Sequence, residues 1–252
     1  MKKLIVNADD FGRTRGINAG VVEAHLFGIV TSATVMVLEP AAEEGVADVR
    51  RRAPRLALGL HFALTGGGLP ASSPDRVPSL VVDGRFRRLP ADLPGELSAE
   101  EVARELDAQL FLFEKMAGSP PTHLDSHHHS ALHPSIQPVF EETALRLGIP
   151  VRASSRAARE ELRAAGVRTP DRFVEGFYGE GATAANLRSI LAGLVEEETT
   201  ELMCHPGYSD ERLLSGSSYA HERDRERTLL CDPELKLLAA ERDIQLITFR
   251  DL

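Results

Sequence analysis

The side chains best suited to chemistry in this chain follow short apolar runs. Asp9 and Asp10 follow Leu-Ile-Val-Asn-Ala, His61 follows Ala-Leu-Gly-Leu, and His205 follows Leu-Met-Cys. The segment 123–129, His-Leu-Asp-Ser-His-His-His, holds four histidines within seven residues. Carboxylates and imidazoles bind divalent metals, and they also take up and release protons near neutral pH. These positions are therefore the candidates for a metal site, for acid–base catalysis, or for both.

The histidine density makes segment 123–129 the strongest of these local signals. Four histidines so close together, with His133 just beyond them, are uncommon as core packing. If a strand continues through the segment, alternation places His123, Asp125 and His127 on one side of it. Imidazole suits Zn, Fe, Ni and Cu ions, and in combination with carboxylate it also suits Mn²⁺. A solvated polar loop is the other interpretation of this segment.

Taken together, the candidates match the needs of metal-assisted hydrolysis. One aspartate and two histidines supply three metal ligands and leave coordination positions open for water and substrate. A second carboxylate and a separate histidine then provide a base and an acid for cleaving an amide or an ester. Taken singly, Asp9-Asp10 could be a solvated turn, His61 a core residue and His205 a turn residue. No Gly-x-Ser-x-Gly elbow, phosphate-binding P-loop or dinucleotide glycine fingerprint occurs in the chain.

The candidates lie at the ends of predicted strands, and this decides between two folds. Short β-rich runs alternate with amphipathic stretches, so we predict an α/β protein with a mainly parallel sheet. The predicted strands are Lys3–Asn7, Ala33–Leu38, Ala57–Phe62, Thr122–Asp125, Pro150–Ala153, Arg172–Val174, Glu201–Cys204 and Ile244–Phe249. A doubly wound sheet would spread the candidates along one edge, whereas a barrel gathers the C-terminal strand ends around one mouth. We therefore predict a distorted or incomplete (β/α) barrel with its active site at the C-terminal ends of the parallel strands.

Residues 65–97 interrupt this alternation. The segment contains three consecutive glycines and five prolines. A long loop in a compact domain is commonly a lid or a binding insertion, and a poorly ordered surface loop is the alternative. We predict one domain over residues 1–252 that carries this loop as an insertion. The next helix begins after Ser98, where Glu101 three residues later predicts a capping box.

Composition and charge exclude several classes of partner. With 29 basic and 38 acidic residues the net charge is −9, so we expect no nucleic acid to bind, because such binding needs a basic face. The apolar run at the N-terminus is too short for a signal-peptide core, and no run approaches the roughly 20 residues of a membrane span. Two cysteines, Cys204 and Cys231, make no disulfide framework and fit a reduced compartment. We therefore expect a cytoplasmic protein, and the sequence leaves a homodimer open.

Four motifs carry a resemblance to a known family. They are NADDFG at 7–12, GLHFALTGG at 59–67, THLDSHHH at 122–129 and HPGY at 205–208, in this order. Together they resemble the YdjC-like carbohydrate deacetylase family, which includes the chitooligosaccharide deacetylases. The resemblance covers nearly the whole chain, and four such motifs at predicted strand ends are far more specific than any one of them.

The resemblance implies a barrel related to the polysaccharide deacetylases and a role for each candidate. It implies that Asp10, His61 and His127 bind one divalent metal ion, that Asp9 is the catalytic base and that His205 is the catalytic acid. Members are commonly described with Mg²⁺, whereas a site with two imidazoles would suit Zn²⁺ or Mn²⁺ better.

The resemblance also implies a reaction. It implies an N-deacetylase that hydrolyses acetamido groups of N-acetylglucosamine-containing oligosaccharides, such as chitooligosaccharides, and releases acetate. We expect Asp125 and Tyr208, which belong to the same motifs, to contact this small carbohydrate substrate. The alternatives are deacetylation of an N-acetylglucosaminyl lipid in hopanoid biosynthesis, hydrolysis of a phosphoester, and a non-catalytic metal- or sugar-binding protein.

One departure from the family pattern leaves some histidines without a role. Many relatives have a further histidine four residues after the first of the triple histidine, and Ala131 occupies that position here. The roles of His128, His129 and His133 therefore stay open.

Two further regions carry weaker expectations. Glu175 and Tyr178 follow a late predicted strand and are candidates for sugar contacts. The charged run 223–227, Arg-Asp-Arg-Glu-Arg, predicts a solvated helix face or an ion-pair cluster, with a substrate-facing arginine as the alternative.

Overall fold

The protein, described by a computed structural model over residues 1–252, alternates strands and helices along its chain. The strands are β1 (Lys2–Phe11), β2 (Ser32–Val35), β3 (Ala57–Phe62), β4 (Val81–Val82), β5 (Arg85–Phe86), β6 (Leu124–Ser126), β7 (Arg172–Val174), β8 (Thr199–Cys204) and β9 (Ile244–Leu246). The helices are α1 (Arg15–Leu26), α2 (Ala42–Arg52), α3 (Ala99–Ala117), α4 (Gln137–Leu147), α5 (Arg156–Ala164), α6 (Ala184–Ala192), α7 (Glu211–Gly216), α8 (His221–Leu230) and α9 (Glu234–Glu241). No helix combines the length and the apolar character needed to cross a membrane.

Seven parallel strands form a half-barrel surrounded by helices, which confirms the predicted incomplete barrel. Their order is β6-β3-β2-β1-β8-β7, and β9 pairs with the first residues of β1. Strand β1 lies at the centre, because it pairs with β8 on one side and with β9 and then β2 on the other. Parallel pairing brings the C-terminal ends of β1, β3, β6 and β8 to the same side of the sheet.

Burial on both faces explains the apolar composition of these strands. Every residue of β3 and β8 is buried, and so is β1 from Leu4 onward. Parallel strands that are buried on both faces are expected to be apolar runs rather than alternating ones. The polar residues that remain in the strands are therefore conspicuous, and they mark the functional end of the sheet.

The segment 65–97 packs against the body of the protein. It contains the β4–β5 hairpin, and Val77, Leu80 and Phe86 join the main hydrophobic core. Helix α3 anchors the segment through Glu105, whose carboxylate accepts backbone N–H bonds from residues 71 and 72. This packing holds the segment beside the strand ends instead of leaving it free on the surface.

Several local predictions differ from the structure. Strand β1 runs on to Phe11 and so includes Asp9 and Asp10, whereas β2 ends at Val35 and β9 at Leu246, both earlier than predicted. The strand predicted at Pro150–Ala153 is a single bridge, Val151 to Leu124, because Pro150 has no N–H and the chain turns at Ser155 to cap α5. The capping box at the start of α3 is only half formed. The Ser98 hydroxyl accepts the Glu101 N–H at 3.3 Å, but the Glu101 carboxylate accepts the Ser79 N–H at 2.7 Å instead of closing the box.

Candidate active site

A cavity of about 680 Å³ opens at the C-terminal ends of the parallel strands. Its wall includes all five residues expected to bind metal or transfer protons, namely Asp9, Asp10, His61, His127 and His205. They reach it from β1, from β3, from the turn after β6 and from the residue after β8. The half-barrel thus brings together residues almost 200 positions apart.

Asp10, His61 and His127 form a candidate metal centre. The Asp10 Oδ1 atom lies 3.4 Å from His61 Nε2 and 3.1 Å from His127 Nδ1. One ligand atom from each residue lies within 4.8 Å of the others, and all three residues are buried. One carboxylate and two imidazoles on one side of an open cavity fit a catalytic divalent metal, which needs three protein ligands and free positions. The residues present therefore fit the implied metal.

The backbone at Asp10 aims its carboxylate. Asp10 has φ 63°, in the left-handed region that non-glycine residues adopt uncommonly, and Gly12 follows with φ 99°. This turn lets adjacent Asp9 and Asp10 both reach the cavity while they face different partners. Strain of this kind is typical of functional sites.

An arginine forms an ion pair with the second carboxylate oxygen of Asp10. Arg223 of α8 is buried and donates from its guanidinium to Asp10 Oδ2, and Arg13 lies 3.8 Å from the same oxygen. Burial alone would raise the pKa of Asp10, but Arg223 and His127 outweigh it and hold that pKa well below its usual value. Asp10 is therefore ionised, with Oδ1 left facing the two imidazoles.

A buried carboxylate orients His61. Asp125 Oδ1 lies 2.7 Å from His61 Nδ1, so the Nδ1–H donates to Asp125 and Nε2 points toward Asp10. Burial lowers the pKa of His61, but Asp125 and the bond to Asp10 outweigh it and raise that pKa to about 10. A carboxylate behind the distal nitrogen is the usual support for a metal-binding histidine.

Asp9 is held on both oxygens by Arg152. The guanidinium donates to Asp9 Oδ1 and Oδ2, each at 2.7 Å, and the Asn7 side chain donates to Oδ1 at 2.9 Å. Burial would raise the pKa of Asp9, but Arg152 outweighs it and holds that pKa far below the usual range. Asp9 is therefore ionised at every pH of practical interest.

The same guanidinium serves two further carboxylates. Arg152 lies 2.9 Å from Asp125 Oδ2 and 2.7 Å from Glu201 Oε1, and all these side chains are buried. One cation therefore faces three carboxylates. Burial, together with the charges of Asp125 and Asp9, raises the pKa of Glu201 to about 7 despite its bond to Arg152. Glu201 therefore takes up a proton more readily than Asp9.

His205 lies in different surroundings. Its backbone N–H donates to Glu226 at 2.5 Å, and the rings of Tyr178 and Tyr219 stand edge-on to the imidazole at 5.3 and 5.8 Å. Its Nδ1 is buried without a hydrogen-bond partner. Burial and the charge of Arg223 lower the pKa of His205 to about 4, so the imidazole is neutral at pH 7.

Of the three successive histidines, His127 belongs to the candidate metal centre, and His128 and His129 form part of the cavity wall. Strand β6 ends at Ser126, and His128 and His129 then adopt left-handed φ values of 55° and 54°. His128 stacks on His127 with ring centres 3.8 Å apart and hydrogen-bonds to the Thr65 hydroxyl at 3.0 Å. The backbone turn thus sends three successive imidazoles to three different environments.

His123 and His133 lie away from the metal centre. His123 is fully buried, stacks on Phe249 at 3.7 Å and bonds to Asn7 at 3.1 Å. Burial lowers its pKa to about 3. His133 holds the carbonyl of Pro94 at 2.9 Å and so ties down the end of the 65–97 segment. Part of the histidine cluster is therefore packing, contrary to the sequence-based expectation.

The two residues expected to contact substrate do not line the cavity. Asp125 lies behind His61, as described above. Tyr208 donates to Glu23 at 2.6 Å, and the Arg227 guanidinium lies 4.1 Å over its ring. Glu175 and Tyr178, which carried the weaker expectation, do line the cavity wall.

Sequence reasoning missed several residues that organise the site. Arg152, Glu201 and Tyr219 were not singled out, and no local pattern marks them. Arg223 and Glu226 lie within the charged run, where a solvated helix face or an ion-pair cluster was the favoured interpretation. The structure buries both side chains on a helix that is otherwise charged.

Comparison with known proteins agrees with this geometry. The sequence model of the family described as YdjC-like protein matches residues 3–241. A protein of Geobacillus stearothermophilus named carbohydrate deacetylase is 44% identical over 248 residues, covering 98% of this chain and 96% of that protein. A protein of Serratia marcescens named chitooligosaccharide deacetylase is 41% identical over 256 residues, covering 100% of this chain and 99% of that protein.

A solved structure shows the same fold at full length. A crystal structure from Enterococcus faecalis, described provisionally as a cellobiose-phosphate cleavage protein, matches with a TM-score of 0.93 and 34% identity. The match covers 99% of this chain and 98% of that one. Because the family model matches nearly the whole chain and the relatives match it at full length, the chain belongs to the YdjC-like protein family.

Proposed function

We propose that this chain is a metal-dependent deacetylase that hydrolyses the acetamido group of N-acetylglucosamine-containing oligosaccharides, such as chitooligosaccharides, and releases acetate. The observation that carries the proposal is the Asp10–His61–His127 ligand set, which shares one cavity with Asp9 and His205. Full-length relatives named carbohydrate deacetylase and chitooligosaccharide deacetylase support the enzyme class, a hydrolase of sugar amides.

The metal and the protein contribute different parts of the reaction. When bound by Asp10, His61 and His127, a divalent ion supplies Lewis-acid polarisation of the acyl oxygen and makes a nearby water more acidic. The protein contributes the fixed geometry of these ligands, because Asp125 and Arg223 each hold one of them. Two imidazoles favour Zn²⁺ or Mn²⁺ over Mg²⁺ on chemical grounds, although Mg²⁺ is the ion that the family resemblance implies.

Asp9 is the proposed base. It is ionised and lines the cavity, so it can accept the proton of the attacking water. Its bidentate contact with Arg152 makes it a weak base, which suffices only if the water is itself acidified. We therefore expect Asp9→Asn to lower turnover by roughly 10²–10⁴-fold. Full activity in that variant would remove Asp9 from this role.

His205 is the proposed acid for the departing amine. It enters the reaction neutral, because burial and Arg223 lower its pKa. Negative charge that develops on the acyl oxygen during attack favours protonated imidazole nearby and opposes the effect of Arg223. The proton that Asp9 takes from the attacking water is then passed to His205, and His205 delivers it to the leaving nitrogen, so that the protons balance over the reaction.

The cellular location of the protein is a separate proposal. Cys204 is buried and Cys231 half-buried, and neither is in a disulfide. These thiols are compatible with the cytoplasmic location that we propose.

The direct test is acetate release from N,N′-diacetylchitobiose by the purified protein. The assay includes chelator-treated protein, protein with Mg²⁺, Mn²⁺ or Zn²⁺ restored, and Asp10→Asn as the matched ligand variant. Release that needs metal and is lost in Asp10→Asn supports the proposal. Phosphate release from a phosphorylated disaccharide, or acetate release only from an N-acetylglucosaminyl lipid, would replace it with one of the alternatives.

A further inference from the structure

The cavity wall is mostly polar, and its few apolar side chains are not equivalent. The apolar ones are Leu89, Tyr178, Met203 and Tyr219. Met203 and Tyr219 are buried, whereas Tyr178 is 46% exposed and Leu89 is 56% exposed. Tyr178 is therefore the aromatic ring that offers a free face to a molecule in the cavity.

Tyr178 is fixed in place from behind. Its ring stacks on Tyr219 with centres 4.1 Å apart and planes 10° apart. The Tyr219 hydroxyl accepts the Gly179 N–H at 2.9 Å and donates to Glu226. Tyr219 thus covers one face of Tyr178, and its hydroxyl also fixes the backbone of the residue that follows Tyr178. A ring held in this way loses little conformational freedom when a ligand packs on it.

The same anchor positions the proposed acid. Glu226 accepts the Tyr219 hydroxyl on one oxygen and the His205 N–H on the other. The ring of Tyr178 stands edge-on to the His205 imidazole with centres 5.3 Å apart. A group that packs on the free face of Tyr178 therefore lies next to His205, where the departing amine must be.

Polar groups border this aromatic surface. Glu175 and His129 also line the cavity, with His129 Nε2 3.6 Å from Glu175 Oε2. The Glu175 carboxylate is largely exposed, at 63%, and so is free to accept hydrogen bonds. A pyranose ring matches this arrangement, because its C–H faces pack on the electron-rich face of an aromatic ring while its hydroxyls point outward from the rim.

We propose that Tyr178 stacks against the pyranose ring that carries the departing amine, with Glu175 and His129 bonding to the hydroxyls of that ring. This inference rests on the proposed function and specifies its leaving group. Tyr178 selects amines borne on a sugar ring over acyclic acetamides, and its shared anchor with His205 couples sugar binding to the position of the acid.

The test compares a ring substrate with an acyclic one. We would measure kcat/KM for acetate release from N,N′-diacetylchitobiose and from N-acetylethanolamine in metal-loaded wild type, Tyr178→Ala, Tyr178→Phe and Phe111→Ala. Phe111 is an exposed aromatic residue on α3, at 67%, outside the cavity, and is the control. Tyr178→Ala should lower the value for the disaccharide roughly three- to tenfold. The value for N-acetylethanolamine should fall less than the value for the disaccharide, and Tyr178→Phe should retain the wild-type preference for the disaccharide because it keeps the ring. Phe111→Ala should leave both values within about twofold.

A second readout does not depend on turnover. Saturation-transfer NMR with fully deacetylated chitobiose reports ring C–H contact with the protein, and the dissociation constant from an NMR titration with the same ligand should rise in Tyr178→Ala by the same factor. Equal loss on both substrates, or unchanged disaccharide binding in Tyr178→Ala, would overturn the inference. Absence of acetate release by the wild type would instead count against the proposed function, and the NMR contact would still decide the role of Tyr178.

Discussion

His61 and His205 line the same cavity, but only the His61 ring is bonded to a carboxylate. His61 is bonded to Asp125 and lies near Asp10, which raise its pKa to about 10. His205 has the Arg223 cation nearby and no partner on Nδ1, and its pKa falls to about 4. Both imidazoles are buried, so burial alone does not explain the difference. The site therefore has a carboxylate-rich side, where we propose that the metal ion binds, and a side that keeps its imidazole uncharged.

Arg223 links the two sides. It neutralises the outer oxygen of Asp10 on the metal side and disfavours protonation of His205 on the other. A single guanidinium from α8 therefore keeps one group charged and another neutral. The following predictions test this division of labour between the two sides.

The largest effect is expected from removing a metal ligand. His61→Ala should weaken binding of the divalent metal more than about 100-fold, beyond what loss of a supporting residue costs, and activity should fall at least as far. Isothermal titration calorimetry with Zn²⁺ and Mn²⁺ measures the affinity. His221→Ala, an exposed histidine at the start of α8, is the control and should bind metal normally. Normal metal affinity in His61→Ala would mean that the metal site is wrongly assigned to the carboxylate-rich side.

Removing the histidine on the other side should separate catalysis from metal binding. His205→Ala should lower kcat by roughly 10²–10⁴-fold, because the departing amine loses its proton source. Metal affinity should remain within about twofold of the wild type, since His205 contacts none of the ligands. Loss of metal together with activity would erase the distinction between the two sides.

Arg223→Gln should affect both sides at once. Loss of its bond to Asp10 should weaken metal affinity about 10–100-fold. Loss of its charge should raise the pKa of His205, which is measured from the imidazole Cε1–H shift in NMR. Arg225→Gln, the same change at an exposed site on the same helix, should alter neither quantity. A shift in only one of the two quantities would show that Arg223 serves only one side.

The smallest effect concerns stability in acid. The pKa of His205 is about 4 in the folded protein and 6.5 in an unfolded chain, so the unfolded chain takes up the proton first as pH falls. Folding stability is therefore lost between about pH 6.5 and 4, by about 2 kcal/mol between pH 7 and 5. His205→Gln should show a correspondingly smaller loss in urea unfolding of the metal-free protein.

His61 contributes with the opposite sign. Its folded pKa of about 10 lies above 6.5, so its stabilising effect is full in acid and is lost as pH rises through 10. An acid-labile contribution from His61, or none from His205, would contradict the comparison.

The sequence predicted the residues at strand ends better than the residues that support them. Strand β3 was predicted to the residue, because a short apolar run between turn signals defines it. The bounds of β7 also match, although its pattern is weaker and includes Arg172. Asp9, Asp10, His61, His127 and His205 were found because a parallel sheet forces its C-terminal ends together.

The supporting residues depend on tertiary contacts that no local pattern records. Arg152 looks like part of a short strand, yet it binds carboxylates from β1, β6 and β8. Segment 123–129 looked uniform in sequence, but strand β6 separates the core histidine His123 from the candidate ligand His127, and two left-handed residues then turn His128 and His129 to other surroundings. Such outcomes follow from where other elements place their charges.

The central claim is that one metal ion, bound by Asp10, His61 and His127, makes this cavity a deacetylase site. The most direct measurement is acetate release from N,N′-diacetylchitobiose while metal-stripped protein is titrated with Zn²⁺ or Mn²⁺. The account predicts activity that rises from background and saturates at one equivalent of metal per chain, with no recovery in His127→Ala. Activity that is independent of added metal, or full recovery in His127→Ala, would contradict it.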